Sequence, residues 1–175
     1  HAEAYPAGEL KHGPLALAGI MGGEISSCTD ATHDVFLESA FFTPASIAGR
    51  ARRYGLQTDS SYRYERGVDP QLQRRAAERA TRLLIDMAGG QPGPILEAVS
   101  PDHLPASPVV RLRPARLGLL LGLDIPAAEA EDILHRLGMA VTTEPDHWRV
   151  IPPSCRFDIA IEADLIEEIA RVYGY

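Results

Sequence analysis

The chain has 175 residues, of which 45% are hydrophobic, and a formal net charge of −7 at pH 7. This length allows one domain or two small ones. The two cysteines, Cys28 and Cys155, have no paired spacing, which argues against a disulfide-stapled secreted domain and against a zinc site. No apolar stretch reaches the roughly 18 residues that a membrane span needs, and no signal peptide is recognisable. We therefore expect a cytoplasmic protein with no membrane partner.

The first half of the chain is predicted to be rich in strands. Residues 15–20 predict a buried strand that ends at a glycine pair, and residues 35–42 predict a second strand with Phe36 and Glu38 on one face. Asp69 and Pro70 then predict the start of a long helix that Gly89 ends. Its apolar positions have helical spacing and predict a core face: Leu72, Ala76, Ala80, Leu83, Leu84 and Met87.

Five prolines between residues 89 and 108 predict a linker. We place it at 99–108, between an N-terminal region at 1–98 and a small module at 109–175. In that module we expect strands at 109–113, near Val141 and at 148–151, with Trp148 in the core. Helices are predicted at 114–121, 126–137 and from about Glu162 to Val172.

The predicted fold class is α+β: mixed strands plus one long helix, followed by a small α+β, winged-helix-like module. The turn between the first two helices of the module is acidic and no basic recognition helix is visible, so we expect no DNA partner.

Arginines are concentrated in one part of this acidic chain, with nine of them between Arg50 and Arg82. Such a cluster suits local contacts with phosphates, or else a solvated helix face that pairs with Glu65, Glu78 and Asp86. Tyr62 and Tyr64 lie within the same stretch. They suit either stacking on an RNA end or half-buried positions in a strand or loop.

Four polar positions in the first half are candidates for lining one pocket: Gly22, Glu38, Thr58 and Ser60. A buried carboxylate such as that of Glu38 needs a hydrogen-bond donor, and a phenol hydroxyl is suitable. The alternative is an ordinary strand glutamate that faces solvent.

Four acidic positions near the C-terminus are candidates for a metal site: Asp158, Asp164, Glu167 and Glu168. On a helix the last three share the face opposite the Leu/Ile stripe, and hard oxygen donors suit Mg²⁺. The alternative is structural, because acids near a helix N-terminus are favourable and their mutual repulsion costs only about 0.2–0.5 kcal/mol. Arg171, four residues after Glu167, would then neutralise part of the charge.

Four segments closely resemble, in order, the β chain of bacterial phenylalanine-tRNA ligases. They are AGIMGG at 18–23, LESAFF at 37–42, GRARRYGLQTDSSYRYERGVDP at 49–70 and DLIEEIARVYGY at 164–175. The resemblance implies that residues 1–98 are the C-terminal part of a tRNA-editing domain. It also implies an ATP- and Mg²⁺-dependent α2β2 enzyme that joins phenylalanine to its tRNA, tRNA(Phe), with the synthetic site and the ATP in the α chain.

The resemblance also assigns roles to the two sets of candidate residues. Glu38 matches the glutamate that recognises the tyrosine hydroxyl of mischarged Tyr-tRNA, Gly22 and Thr58 match pocket walls, and Ser60 stands where a close relative has alanine. The pattern Arg-Phe-Asp-x5-Asp-x2-Glu-Glu, complete from Arg156, matches a magnesium site shared with the α chain.

No hydrolytic triad is proposed, since the histidines show no pairing with a nucleophile. The family's editing pocket includes upstream residues, among them a histidine. Because the sequence opens on His1 and stops at Tyr175, we expect a piece of a longer polypeptide that is inactive alone. The competing functions are a non-catalytic RNA-binding or assembly scaffold and a free-standing deacylase.

Overall fold

The computed structural model describes residues 14–174, so His1 and Tyr175 lie outside the described residues. The chain divides into two compact units. The first comprises the residues up to Val68 together with Leu72–Glu97, and the second comprises Asp69–Gln71 and the residues from Ala98 onwards. Within residues 14–174, no helix has the length and apolar character that crossing a bilayer requires.

The first unit begins with a short hairpin. Strands β1 (Ala16–Leu17) and β2 (Met21–Gly22) pair antiparallel. Between them Gly19 has φ 69°, and a Cβ at this position would lie 2.8 Å from the Phe42 ring, so glycine is required. The prediction of one strand over 15–20 is wrong, because the chain reverses direction within those residues.

Residues 35–42 form no strand, so the prediction of a second strand is also wrong. Their alternating pattern favours extended backbone, but a strand needs the backbone of a neighbour to bond with. In the described residues this segment is held by side chains of two helices instead, as set out below. The first unit is therefore mainly helical.

Four helices follow in the first unit: α1 (Pro44–Ile47), α2 (Arg50–Arg53), α3 (Asp59–Arg66) and α4 (Gln73–Ala88). Helix α4 begins later than predicted, because the Asp69 carboxylate accepts a hydrogen bond from the Gln71 backbone N–H at 2.9 Å and closes a turn over Pro70. Gly89 ends the helix as predicted.

Among residues 14–97 the core of the first unit is small. In this part of the chain it consists of the buried residues Ile20, Ile47 and Ala51, with three partly buried side chains packed against them, namely Phe42, Leu56 and Tyr64. No residue of α4 is buried, and Met87 is 75% exposed. The prediction that the apolar face of α4 is core is therefore wrong for the described chain.

From Val110 onwards the second unit matches its prediction element by element. Before that, a short 3-10 helix at Pro101–His103 lies within the predicted linker. It contains β3 (Val110–Leu112), α5 (Pro114–Leu121), α6 (Ala127–Arg136), β4 (Ala140–Thr143), β5 (Trp148–Ile151) and α7 (Glu162–Tyr173). The strands form an antiparallel sheet in the order β3-β5-β4. Helices α6 and α7 pack on it, and Trp148 is buried as predicted. The predicted α+β class is confirmed.

Candidate functional site

Thr58 fixes the start of helix α3. Its hydroxyl accepts a hydrogen bond from the Ser61 backbone N–H at 3.0 Å, while the Ser61 hydroxyl bonds to the Thr58 backbone N–H at 3.2 Å. The Thr58 hydroxyl also donates to the backbone carbonyl of Ile20 at 2.6 Å. Thr58 thus attaches α3 to the β1–β2 hairpin, two residues before Gly22, and its hydroxyl is used within the protein.

Gly22 and Ser60 lie near this attachment. A Cβ built on Gly22 meets no atom within 4 Å, so the position faces open space rather than a tight wall. Ser60 is exposed on the first turn of α3. The structure therefore brings Gly22, Thr58 and Ser60 into the neighbourhood of one helix end.

Glu38 lies near the other end of α3. It is exposed rather than buried, so the expected burial of its carboxylate is not observed. The pKa of the Tyr64 phenol is raised, first by burial of the ring and second by the nearby negative charge of Glu38. Tyr64 is six residues after Thr58, about 9 Å along a helix axis. The role of the four positions in one editing pocket stays a prediction.

The acidic set in the second unit is engaged by arginines. The Arg156 guanidinium donates to the Asp158 carboxylate at 2.7 Å and to the Glu168 carboxylate at 2.8 Å, and Arg171 donates to Glu168 at 2.7 Å. These bonds, first those from Arg156, hold the pKa of Glu168 at about 2. Arg156 likewise lowers the pKa of Asp158.

Asp164 has a different task from its acidic neighbours. One of its carboxylate oxygens accepts hydrogen bonds from the backbone N–H groups of Ala160 and Ile161, at 2.8 and 2.9 Å. It thereby satisfies two donors at the N-terminus of α7. Glu167 is exposed. Glu168 is nearly buried beside the apolar stripe, rather than on the opposite face as predicted, and it is the residue that Arg171 contacts.

In this arrangement the four carboxylates do not fit a magnesium ion. Among the residues that the structure describes, no group of three His, Cys, Asp or Glu side chains is placed so that it would hold a metal. The guanidinium of Arg156 stands between two of the four carboxylates, where a bound cation would have to be. Direct coordination by Asp158 and Glu168 requires Arg156 to leave.

Two arginines of the first unit pair with Glu78 and Asp86, two of the three acids that one of the interpretations names. Arg74 contacts Glu78 at 3.0 Å and Glu97 at 2.7 Å, and Arg82 contacts Asp86 at 3.5 Å. All these side chains are more than half exposed, so solvent screens each pair and it contributes little to stability. The phosphate-binding interpretation stays a prediction.

Sequence reasoning named two residues that organise these sites but did not predict what they hold. Tyr64 is half-buried, as one of its two interpretations predicts, but it lies on helix α3 rather than in a strand or loop, and no sequence signal indicated its bond to Ala40. Arg156 bridges Asp158 and Glu168. The sequence indicated the first of these contacts, because in an extended chain an arginine can reach the carboxylate of an aspartate two residues later.

Two family models match the chain in succession. Residues 9–89 match the B3/4 domain, and residues 110–175 match the tRNA synthetase B5 domain. The first match falls on the unit that contains the hairpin and α3. The second falls on the sheet with helices α5, α6 and α7.

Relatives that match both regions share a single name. The chain is 66% identical over 161 residues to the phenylalanine-tRNA ligase β subunit of Methylococcus capsulatus, which is 92% of this chain and 20% of the relative. The β subunit of Yersinia pestis is 56% identical over 162 residues, and that of Pseudomonas syringae pv. syringae is 59% identical over 162 residues; this chain again covers 20% of each. The chain therefore belongs to the family of phenylalanine-tRNA ligase β subunits, of whose length it spans about a fifth.

Proposed function

We propose that this chain is the part of a phenylalanine-tRNA ligase β subunit that contributes to hydrolytic editing of tRNA mischarged with tyrosine. The observation that supports this most strongly is its identity of 56–66% to three proteins of that name, over at least 92% of its length. The reaction is hydrolysis of the ester that joins tyrosine to the terminal adenosine of tRNA(Phe).

The chemistry of the first unit suits this reaction. A synthetic site that accepts phenylalanine in an apolar cavity rejects an added hydroxyl poorly, by about 10²-fold, whereas a site built to bind that hydroxyl discriminates by about 10⁴-fold or more. Glu38 offers an accessible acceptor for a phenol. Gly22 leaves open space beside the Thr58 attachment, where an aminoacyl group can approach.

The rest of the proposal concerns the whole ligase. It attaches phenylalanine to tRNA(Phe) with ATP in the cytoplasm, as an α2β2 assembly in which the α subunit binds Mg²⁺ and ATP. A metal ion shared between the α subunit and Asp158, Asp164, Glu167 and Glu168 requires that contact with the α subunit draws Arg156 away. The chain by itself is inactive in this proposal.

The test is Glu38→Ala in the complete β subunit, assembled with its α subunit. We expect hydrolysis of Tyr-tRNA(Phe) to be lost while attachment of phenylalanine continues. Glu24→Ala, an exposed glutamate of the same unit, is the matched control and should hydrolyse normally. If Glu38→Ala hydrolyses Tyr-tRNA(Phe) at the unaltered rate, Glu38 has no editing role. If the unaltered ligase does not hydrolyse Tyr-tRNA(Phe) at all, the first unit is a non-catalytic RNA-binding or assembly scaffold.

A further inference from the structure

Helix α3 is bonded at one end to the hairpin that carries Gly22 and at the other end to the segment that carries Glu38. At its N-terminus Thr58 donates to the carbonyl of Ile20 in the β1–β2 hairpin, at 2.6 Å. Near its C-terminus the Tyr64 hydroxyl donates to the carbonyl of Ala40, at 3.2 Å. The hairpin carries Gly22 and the second attachment adjoins Glu38. Together with the direct packing of Phe42 against Gly19, this short helix sets how far apart Gly22 and Glu38 lie.

Tyr64 contacts the segment that follows Glu38 at two places. Its hydroxyl donates to the Ala40 carbonyl, and its ring meets the Phe42 ring edge-on with 5.0 Å between centroids. Such an edge-on pair contributes beyond simple burial. The phenol also lies within electrostatic reach of Glu38. A side chain that contacts residues 40 and 42 fixes both the position and the direction of the segment.

The start of α4 holds the same segment from another side. The Ser39 hydroxyl donates to the backbone carbonyl of Gln73 at 2.8 Å, and the Gln73 amide donates to the Ala40 carbonyl at 3.4 Å. Since residues 35–42 have no strand partner in the described chain, these side-chain bonds replace the ladder that a strand would provide. Among them, Tyr64 is the one that also faces the Glu38 charge.

We propose that Tyr64 is a positioning residue that holds Glu38 at the distance from the Thr58 attachment at which a tyrosine hydroxyl is recognised. This inference rests on the proposed editing function. Tyr64 does not contact the substrate. It acts through the 38–42 segment, so its loss lowers discrimination between tyrosine and phenylalanine and leaves the chemistry of hydrolysis to other groups.

The chain offers a matched control on the same helix. Tyr62 is 61% exposed, and Arg66 lies over its ring at 3.6 Å. Tyr62→Phe therefore removes the same hydroxyl from α3 without touching the Glu38 segment. Tyr64→Phe keeps the ring and its packing on Phe42, so the variant is expected to fold.

A first experiment uses this chain and measures structure alone. With labelled tyrosine, NMR titration should show that Glu38→Gln lowers the pKa of the Tyr64 phenol, because a negative charge beside it is removed. Amide signals of residues 38–42 should shift in Tyr64→Phe and not in Tyr62→Phe. An unmoved phenol pKa, or unshifted amides, overturns the inference.

A second experiment uses the complete β subunit assembled with its α subunit. The hydroxyl makes one hydrogen bond, so Tyr64→Phe should lower kcat/KM for Tyr-tRNA(Phe) hydrolysis by about 2- to 12-fold, with a smaller change for Phe-tRNA(Phe). Tyr62→Phe should change neither. Equal losses on both substrates mean a merely structural role and overturn the inference.

The two experiments separate this inference from the proposed function. If Glu38→Ala loses Tyr-tRNA(Phe) hydrolysis and Tyr64→Phe behaves like Tyr62→Phe, editing stands and the role of Tyr64 is wrong. If Glu38→Ala hydrolyses normally, the editing role of Glu38 is wrong, and the role of Tyr64 in discrimination is overturned with it.

Discussion

The two units of the chain differ in what holds them together. In the second unit, 14 buried side chains from the sheet, three helices and the loops between them form one cluster. In the first unit the buried cluster has three residues, and the described helix α4 contributes none. The second unit is thus stabilised by burial of apolar surface, whereas the first depends on a few polar attachments made by Thr58, Tyr64 and Ser39. Substitutions should have different effects in the two units.

The largest expected effect is in the core of the second unit. Leu165 is fully buried, so Leu165→Ala should lower the free energy of unfolding by about 2–5 kcal/mol. Leu83→Ala in α4, where the side chain is 39% exposed, should cost less than about 1 kcal/mol. Urea denaturation measures both, with Trp148 fluorescence reporting the second unit. Equal losses of unfolding free energy would show that apolar burial stabilises the two units to the same degree.

A smaller effect is expected from removing the charge of Glu168, which Arg156 and Arg171 contact in the second unit. The pKa of Glu168 is held at about 2, below its value in the unfolded chain, so its contribution is present above about pH 4.5 and is lost as the pH falls towards 2. Allowing for solvent at the edge of the cluster, Glu168→Gln should cost roughly 1–3 kcal/mol at pH 7.

The exposed neighbour provides the control for this cluster. Glu167→Gln should leave stability at pH 7 almost unchanged. Urea denaturation of the three proteins between pH 2 and pH 7 compares them directly. A Glu168→Gln variant with the same acid dependence as the unaltered chain would contradict the assignment of this charge to Glu168.

The attachment at the start of α3 should have the next smaller effect. Thr58→Ala removes a helix cap and the bond to Ile20, and should cost about 0.5–2 kcal/mol. Amide hydrogen exchange should become faster in α3 and in the β1–β2 hairpin, and should stay unchanged in the second unit. Thr58→Ser keeps the hydroxyl and serves as the control. Faster exchange in the second unit as well would argue against a local attachment.

The smallest expected effect is that of magnesium on this chain. Since Arg156 already stands between Asp158 and Glu168, adding about 10 mM MgCl2 should raise the thermal unfolding midpoint no more than NaCl of equal ionic strength. A saturable rise with magnesium would show that the ion displaces Arg156 without the α subunit. In that case the four carboxylates form a metal site within this chain.

The elements of the second unit were predictable because the local sequence signals there agree with the observed pattern of burial. Pro114 begins α5. Val110 and Leu112 in β3, and Trp148 and Val150 in β5, are buried and alternate with exposed residues, as a strand with one face on the core requires. In the first unit, local signals misled at residues 35–42 and at Pro70. An alternating pattern does not show whether a partner strand exists, and the Asp69 turn delays the helix start.

The sequence by itself determined the family, the α+β class, the elements of the second unit and the identity of the candidate residues, because these follow from local periodicity and from motifs that lie close together along the chain. Only the tertiary structure decided three contacts: the Thr58 hydroxyl donates to the Ile20 carbonyl, Glu38 is exposed within electrostatic reach of Tyr64, and Arg156 lies between Asp158 and Glu168. Those outcomes depend on which donor reaches which acceptor across distant segments, and side-chain contacts between such segments leave no periodic trace in the sequence.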